Sequence, residues 1–203
     1  MTEGPVKCVK TNYKVILSGD SNVGKTSITL RYVNKTYSSE YKTTIGSDIF
    51  HKEIQADGEV LDMALWDTAG SEKYQSVFKN YYRGSDVVFL VFDLTNQSSL
   101  QSLPKWYNEY KSVDSVDDKD VLVVVVGNKC DLQDQRQVQE EGREWAEQNG
   151  FTYAETSASN DIGISDLFSS VLRLKKQMSF EYPIPPPLPV VEITTLPNAK
   201  KCC

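Results

Sequence analysis

Runs of apolar residues along this chain alternate with segments in which apolar residues recur every three or four positions. The runs at 13–18, 87–94 and 121–128 are nearly continuous in valine, isoleucine, leucine and phenylalanine. Such runs are typical of strands that are covered on both faces of a parallel sheet. By contrast, 48–55 and 60–66 alternate apolar with polar residues around an Asp-Gly-Glu turn, and this pattern predicts a hairpin.

The remaining apolar pattern has mainly the period of a helix. It predicts a short strand at 151–157 and helices at 24–35, 98–113, 137–150 and 162–178. Pro104 falls inside the second helix and is expected to end its first turn or to kink it. Strands that alternate with helices in this way predict an α/β fold, with a mostly parallel six-stranded sheet and helices on both faces.

Composition divides the chain into three parts. Six of the eight prolines among its 203 residues lie in 179–203, so this segment is expected to be an extended, polyproline-like tail without helix or central strand. We therefore assign 12–178 to one domain, 1–11 to an N-terminal extension and 179–203 to a flexible tail. The tail motif 185-PPPLP-189 is either a spacer or a ligand for an aromatic groove.

Charge and residue usage argue against several functions. The net charge is −6 and no basic stripe is visible, which argues against nucleic-acid binding. No apolar run reaches the ~20 residues of a membrane helix, and 1–10 lacks the apolar core of a secretory signal, so a cytosolic protein is expected. The four cysteines and the single histidine show no metal-ligand spacing. Nothing in the sequence requires a homo-oligomer, and a monomer is expected.

The segment 19-GDSNVGKT-26 lies between a predicted strand and a predicted helix and fits the phosphate-loop pattern G-x-x-x-x-G-K-[ST]. Glycine allows successive N–H groups to point at phosphate oxygens, and the helix N-terminus adds its positive pole. We expect Lys25 to place its charge between terminal phosphates and the Thr26 hydroxyl to bind Mg²⁺. The nucleotide-binding residues predicted here are Ser21, Asn22, Val23, Gly24, Lys25, Thr26 and Ser27.

A second motif, 66-WDTAGSE-72, follows a predicted strand. Its position puts Asp67 at a strand end near the phosphates, where its carboxylate can hold Mg²⁺ through water. Gly70 can offer its N–H to a γ-phosphate, a contact that exists with a triphosphate and is lost with a diphosphate. The motif therefore predicts a sensor of the third phosphate.

Two further motifs, 128-NKCD-131 and 156-TSAS-159, follow the last two predicted strands. The Asp131 carboxylate can accept both N1–H and N2–H₂ of guanine, whereas adenine would leave it unpaired, a difference worth roughly 10⁴-fold or more in selectivity. The Ala158 N–H can meet guanine O6. Ligands bind at the carboxyl ends of strands in α/β sheets, so the motifs together predict GTP and GDP as ligands. The residues predicted to bind at this end are Asn128, Lys129, Asp131, Ser157 and Ala158.

These motifs resemble those of small GTPases of the Ras superfamily, and more narrowly those of Rab proteins. The likeness covers about residues 12–178 and implies the G domain fold of a P-loop NTPase. The features that favour Rab proteins are 44-TIGSD-48, 66-WDTAG-70, 73-KYQSV-77, 81-YYRGS-85 and a final Cys-Cys. Residues 31–48 are similar to those of Rabs from late endosomes and lysosomes.

The resemblance implies a switch in vesicle traffic that hydrolyses GTP. It implies a location on the cytoplasmic face of intracellular membranes, such as the late endosome, lysosome or phagosome, with exchange into the cytosol.

The resemblance also implies roles for individual residues. Thr44 would coordinate Mg²⁺ only in the GTP state, and Tyr37 would lie against the guanine. The implied catalytic residues are Lys25, Thr44, Gly70 and Ser71. The implied metal-binding residues are Thr26, Thr44 and Asp67. Effectors would dock on Ile49, Trp66 and Tyr81, with simple core packing as the alternative interpretation of Trp66.

The implied partners are effectors, an exchange factor, a GTPase-activating protein, a Rab escort protein and a GDP dissociation inhibitor. Cys202 and Cys203 resemble a double geranylgeranylation site, which would anchor the chain to a membrane because two lipid chains meet the requirement for stable binding.

Two residues depart from the family pattern. Ser71 stands where the family has the glutamine that orients the attacking water, and a serine side chain is too short to hold that water in line. We therefore expect slow intrinsic hydrolysis of GTP, which activators of the family could still stimulate by supplying their own arginine and glutamine. Ile49 stands where Rabs have a phenylalanine, and Phe50 cannot replace it because adjacent strand residues face opposite sides.

Two other functions remain open at this level. A P-loop kinase or metabolic enzyme would need an acceptor site and an arginine-rich lid, and it would leave 128-NKCD-131 and the terminal cysteines without a purpose. A constitutively GTP-bound, hydrolysis-deficient scaffold is suggested by Ser71. The sequence leaves open which organelle, effectors, exchange factor and activator apply, and whether PPPLP binds a partner.

Overall fold

The strands pair into one sheet in the computed structural model, which describes residues 11–40, 43–44, 46–56, 59–70, 80–113 and 121–181. In chain order they are β1 Thr11–Ser18, β2 Ser47–Ala56, β3 Glu59–Thr68, β4 Val87–Asp93, β5 Leu122–Asn128 and β6 Thr152–Thr156. The sheet order is β2-β3-β1-β4-β5-β6. The strands β2 and β3 pair antiparallel, and the other neighbouring strands pair parallel. The predicted six-stranded, mostly parallel α/β sheet and its hairpin are confirmed.

Helices cover both faces of the sheet. They are α1 Lys25–Asn34, α2 Gln97–Gln101, α3 Leu103–Lys111, α4 Glu141–Gln148 and α5 Ile164–Glu181. A 3₁₀ turn, Gln133–Gln135, follows β5. In the described ranges, no helix has both the length and the apolarity required to cross a bilayer.

The period-two pattern of the buried strands explains the two cores. In β4, Val87, Phe89 and Val91 pack into one cluster with residues of α1 and α5. The alternate positions Val88, Leu90 and Phe92 pack into the opposite cluster with residues of α3 and α4. Successive strand residues point to opposite faces, and all seven residues of β4 are buried. The continuous apolar runs therefore reflect strands that are covered on both sides.

The helix predicted at 98–113 is two helices. Asn96 caps the first one, because its Oδ1 accepts a hydrogen bond of 3.1 Å from the Ser98 N–H. Ser102 separates α2 from α3, and Pro104 lies in the first turn of α3. Proline lacks an N–H and fits the first turn of a helix better than its interior. The proline therefore begins a new helix instead of kinking a continuous one.

Two helix boundaries differ from the predicted ones. The helix predicted from residue 137 begins at Glu141, because the N–H groups of Gln137 and Val138 donate to the Leu94 carbonyl at 2.9 and 3.1 Å. The last helix continues to Glu181, three residues into the segment that composition assigned to the tail. The physical reason is that the first tail proline is Pro183, and a helix usually ends at or before the residue that precedes a proline.

Candidate nucleotide-binding site

A cleft of about 530 Å³ opens beside the carboxyl ends of β3, β5 and β6 and the N-terminus of α1. The predicted ligand-binding residues that line it are Ser21, Asn22, Gly24, Lys25, Thr26, Ser27, Tyr37, Thr44, Gly70, Asn128, Lys129, Asp131 and Ala158. Residues separated by more than 130 positions therefore meet in the same cavity. This volume falls in the range of small-molecule sites.

Backbone geometry explains the glycine at the start of α1. Gly24 has a φ of 101°, which other residues rarely adopt, and a Cβ there would overlap the Asn128 side-chain nitrogen. Among the described residues, no side chain caps the N-terminus of α1, so the N–H groups of its first turn remain available to a ligand. These are the features of an anion site at a helix N-terminus.

Lys25 is held inside the glycine loop. Its side chain is 5% exposed, and Nζ donates to the carbonyl oxygens of Gly19 and Asp20 at 2.7 and 2.8 Å. Burial lowers the pKa of Lys25 to about 8, against the opposing effect of the Asp67 and Asp20 carboxylates. The amine is therefore still mostly protonated at pH 7, and an anionic ligand in the cleft would stabilise its charge.

The three predicted metal-binding residues lie together. The Thr26 hydroxyl donates to Asp67 Oδ2 at 2.6 Å and lies 3.0 Å from the Thr44 hydroxyl oxygen. Asp67 Oδ1 is buried and has no hydrogen-bond partner within the part of the chain that the structure describes. Burial raises the pKa of Asp67 to about 6, although the Thr26 hydrogen bond and Lys25 oppose the shift.

This donor set fits Mg²⁺. Hydroxyl and carboxylate oxygens are the hard ligands that Mg²⁺ prefers, and it is usually held by one or two protein oxygens together with substrate phosphates. A buried carboxylate oxygen without a partner is costly to maintain. A cation at this point would therefore stabilise the ionised form of Asp67.

Asn128 connects three segments of the site. Its Nδ2 donates to the Val23 carbonyl at 2.9 Å. Its Oδ1 accepts from the Thr156 hydroxyl at 3.2 Å and from the Ala158 N–H at 3.4 Å. The side chain therefore fixes the phosphate loop relative to the loop after β6. Next to it, Lys129 has a φ of 66° and pairs with Asp93 at 2.6 Å.

Two of the predicted nucleotide-binding residues, Val23 and Ser157, support the cleft without lining it, and the predicted metal ligand Asp67 is fully buried and does not line it either. Val23 is 1% exposed and packs in the core, although its carbonyl binds Asn128. Ser157 is fully buried, and its Oγ accepts a 3.0 Å hydrogen bond from the Asn160 N–H. Both residues belong to the recognised motifs, but their side chains face inward.

Several lining residues were not predicted. They are Leu30, Ser38, Ser39, Glu40, Thr43, Thr68, Leu132 and Ser159. All of them lie within four residues of a predicted one, so their proximity to the motifs along the chain could have indicated that they line the cleft. Arg31, Asp93 and Trp106 were also missed, although they contact the loops of the site. No nucleotide-binding motif includes these three residues, because their contacts depend on the packing of segments that are distant along the chain.

The glycine of the second motif lies against the phosphate loop. A Cβ on Gly70 would overlap the backbone of Asp20 and Ser21. The preceding Ala69 N–H donates to the Gly46 carbonyl at 2.9 Å, and Ser47 pairs with Thr68 across the hairpin. The segments that carry Thr44 and Gly70 are therefore joined near the cleft.

Of the three residues predicted to bind effectors, Ile49 is exposed, whereas Trp66 and Tyr81 pack against the second core cluster, as the core-packing interpretation of Trp66 expects. Ile49 is paired with Trp66 across the hairpin and is 47% exposed, whereas Phe50 packs against the buried core. The Trp66 and Tyr81 rings are 5.3 Å apart, and both are partly buried. Ile49 and Phe50 thus face opposite sides of the hairpin, as expected of adjacent strand residues. Ser71, Cys202 and Cys203 lie outside the described residues.

Comparison with known proteins agrees with this geometry. The family model described as "Ras family" matches residues 14–177. The Ras-related protein Rab-7a of Dictyostelium discoideum is 38% identical over 199 residues, covering 96% of this chain and 98% of that protein. The Ras-related protein RABG3b of Arabidopsis thaliana is 41% identical, covering 81% and 84%. The GTP-binding protein YPT1 of Saccharomyces cerevisiae is 37% identical, covering 82% and 81%. The chain therefore belongs to the Ras family and, within it, to the Rab small GTPases.

Proposed function

We propose that this protein is a Rab-type molecular switch that binds GTP with Mg²⁺, hydrolyses it to GDP, and binds effectors in the GTP form to regulate membrane traffic. The observation that carries the proposal is the cleft in which Lys25, Thr26 and Asp131 meet. A phosphate-binding cation, a hydroxyl suited to a metal and a carboxylate suited to guanine serve different parts of one ligand. A guanine nucleotide bound with Mg²⁺ offers a phosphate, a metal ion and a guanine base to these three groups.

Guanine is the base that the cleft fits best. The Asp131 carboxylate lines the cleft, and it can accept two hydrogen bonds from N1–H and N2–H₂ of guanine. Adenine offers an acceptor at N1 and no 2-amino group, so it would leave this carboxylate unpaired. The Ala158 N–H, at 3.4 Å from Asn128 Oδ1, makes only a long hydrogen bond within the protein and is available to guanine O6.

The phosphate end of the cleft supports triphosphate binding and hydrolysis. Thr26, Thr44 and Asp67 would hold Mg²⁺, which neutralises charge on the phosphate oxygens when bound. Lys25 supplies a fixed positive charge, and its burial strengthens that charge's effect on phosphate oxygens. The N–H groups at the start of α1 orient the phosphates. These residues thus bind and orient the nucleotide.

The presence of serine at position 71 supports the proposal that intrinsic GTP hydrolysis is slow. Ser71 occupies the position of the family's water-orienting glutamine, and its hydroxyl is too short to hold an attacking water in line. Intrinsic GTP turnover by Ras, which has that glutamine, is already only of the order of 10⁻⁴ s⁻¹. A constitutively GTP-bound scaffold is the second candidate, and it differs only in showing no hydrolysis when an activator is present.

The proposal also covers the docking of effectors, the attachment to a membrane and the proteins that regulate the switch. The exposed Ile49 beside Trp66 offers an apolar contact for effectors, and aliphatic isoleucine replaces the family's aromatic ring there. Geranylgeranyl groups on Cys202 and Cys203 would anchor the protein to the cytoplasmic face of a membrane. Its similarity to the protein named Rab-7a and the resemblance of residues 31–48 to Rabs of late endosomes support an endosomal location. An escort protein, a dissociation inhibitor, an exchange factor and an activating protein would complete the cycle.

Nucleotide selection tests the proposal directly. In competition measurements with Mg²⁺, the purified protein should bind GTP and GDP more tightly than ATP and ADP by roughly 10⁴-fold or more. The Asp131→Asn variant should lose this preference for guanine and favour xanthine nucleotides, because an asparagine amide can donate to the xanthine 2-oxygen. Equal affinity of the unmodified protein for GTP and ATP would contradict the proposed function.

A further inference from the structure

Arg31, in the last turn of α1, contacts the loop that forms one wall of the base end of the cleft. Its Nε donates to the Ala158 carbonyl at 2.7 Å, and one terminal nitrogen donates to the Ser159 carbonyl at 2.9 Å. Both acceptors belong to the loop after β6, more than 120 residues away along the chain. Two adjacent carbonyls held by one rigid guanidinium fix the position of a loop more strictly than a single bond could.

The same guanidinium also reaches the segment after α1. Its other terminal nitrogen donates to the Lys35 carbonyl at 3.3 Å, and its central carbon lies 5.7 Å from the Tyr37 ring centroid. Tyr37 is 44% exposed and lines the cleft. Arg31 thus contacts both walls of the base end, the Ala158 loop and Tyr37.

We propose that Arg31 is a positioning residue for the guanine pocket, which sets how tightly a guanine nucleotide binds by holding the Ala158 N–H in place. The inference rests on the proposed function and adds a residue to which the sequence analysis assigned no role in the site. Ala158 is the residue whose N–H can meet guanine O6, and its own carbonyl is the group that Arg31 holds. Loss of Arg31 would free this loop without removing any group that contacts the nucleotide.

A purely structural role for Arg31 is the competing explanation, because a cation in the last turn of a helix stabilises that helix through its dipole. Lysine keeps the charge but has no planar fork, so it cannot donate to both carbonyls and stack on Tyr37 together. The Arg31→Lys variant therefore separates the two roles, and Arg31→Gln removes both. Arg173→Gln is a matched control, because Arg173 is exposed and contacts Ser170 at 3.5 Å on α5.

The experiment compares three diphosphates in competition binding to the full-length protein: GDP, inosine diphosphate and the diphosphate of 2-aminopurine riboside. Inosine keeps O6 and N1–H and lacks the 2-amino group, whereas 2-aminopurine keeps the 2-amino group and lacks both O6 and N1–H. Both Arg31→Lys and Arg31→Gln should bind GDP and inosine diphosphate about tenfold more weakly, as expected from the loss of one or two hydrogen bonds. Affinity for the 2-aminopurine nucleotide should fall no more than about threefold, because it makes no bond to the Ala158 N–H. Arg173→Gln should change none of the three.

Each outcome has a distinct meaning. Equal losses for all three nucleotides, or full affinity in Arg31→Lys, would overturn the positioning role and leave a structural one. If ADP, added as a fourth competitor, binds the unmodified protein as tightly as GDP does, the proposed function itself is rejected. If the unmodified protein prefers GDP and both Arg31 variants bind it normally, only the role of Arg31 fails.

Discussion

The Nδ2 of Asn128 donates a hydrogen bond of 2.9 Å to the carbonyl oxygen of Val23. A residue of the motif predicted to bind the base thus holds the loop predicted to bind phosphates. Both residues are buried, because Asn128 is 2% exposed and Val23 is 1% exposed. The two ends of the nucleotide site are therefore parts of one hydrogen-bonded structure.

Replacement of Asn128 by alanine should disrupt both ends of the site at once. The change leaves the Val23 carbonyl and the Thr156 hydroxyl buried without this partner, at a cost of about 1–3 kcal/mol for each unsatisfied group. We expect GDP affinity to fall by roughly 100-fold or more and the melting temperature to decrease. Isothermal titration and thermal unfolding measure the two effects. The Asn108→Ala control removes an exposed amide from α3 and should change neither, and normal GDP binding by Asn128→Ala would contradict the prediction.

The Thr26 hydroxyl should determine how strongly Mg²⁺ retains the nucleotide. Thr26→Val keeps the shape of the side chain and removes the oxygen that lies 2.6 Å from Asp67. We expect removal of Mg²⁺ by a chelator to accelerate GDP release much less in this variant, with the Mg²⁺ effect reduced by about tenfold or more, because one of the few protein ligands is lost.

Thr29→Val is the matched control for this measurement, because it removes a buried hydroxyl from the same helix. The Thr29 hydroxyl donates to the Lys25 carbonyl at 3.1 Å within α1. This control should keep the full response to chelation. A Thr26→Val protein that also keeps it would show that the hydroxyl does not bind the metal.

Glutamine in place of Ser71 should restore a longer amide side chain that can orient water. We expect the rate of single-turnover GTP hydrolysis without an activator to rise by about tenfold or more, which is modest for a positioned catalytic group. Phosphate release from preloaded protein measures the rate. Ser71→Ala should hydrolyse GTP as slowly as the unmodified protein, and an unchanged rate in Ser71→Gln would reject this explanation.

The ion pair of Arg136 with Glu155 should stabilise the fold in a pH-dependent way. Two Arg136 nitrogens donate to the Glu155 carboxylate at 2.6 and 2.9 Å. Burial acts to raise the pKa of Glu155, but the hydrogen bonds from Arg136 and Tyr153 outweigh it, so the folded-state pKa is lower than usual. A lowered carboxylate pKa stabilises the fold above the unfolded-state pKa of about 4, and this contribution is lost as the pH falls through the folded-state value.

Glu155→Gln should therefore lower the free energy of unfolding at pH 7 by about 1 kcal/mol, as measured by urea unfolding with saturating GDP. The difference from the unmodified protein should shrink when the pH is lowered to about 4 and below. The Glu140→Gln control breaks a pair with Arg143 whose side chains are 70% and 51% exposed, so it should cost little at any pH. An equal loss at both pH values would show that the charge of Glu155 is not responsible.

Much of the fold follows from short-range patterns. The buried runs at 87–94 and 121–128 fall on β4 and β5, because strands covered on both faces need apolar residues at every position. Pro104 marked a real interruption, since it cannot occupy a helix interior without the loss of a hydrogen bond. The start of α4 could not be predicted, because it depends on bonds from 137–138 to Leu94 across the fold.

The site was predictable where function restricts residue type along a contiguous segment. The motifs that contain Lys25, Asp67 and Asp131 identify most of the cleft before any packing is known. Arg31 is different, because its importance arises from contacts with Ala158 and the residue after it that only the folded chain creates. A sequence motif also does not show which way a side chain points. Ser157 belongs to a motif, but its side chain is buried and faces inward.

The segments that carry Thr44 and Gly70, both predicted to respond to the third phosphate, are bonded to each other, and this has a consequence for how the predicted switch changes state. Ser47 and Thr68 are cross-strand partners, and the Ala69 N–H is bonded to the Gly46 carbonyl at 2.9 Å. Displacement of one segment must therefore strain the bonds that connect it to the other. We therefore expect the two segments to change conformation together, in one cooperative transition. A partner that binds either segment would then respond to the conformation of both.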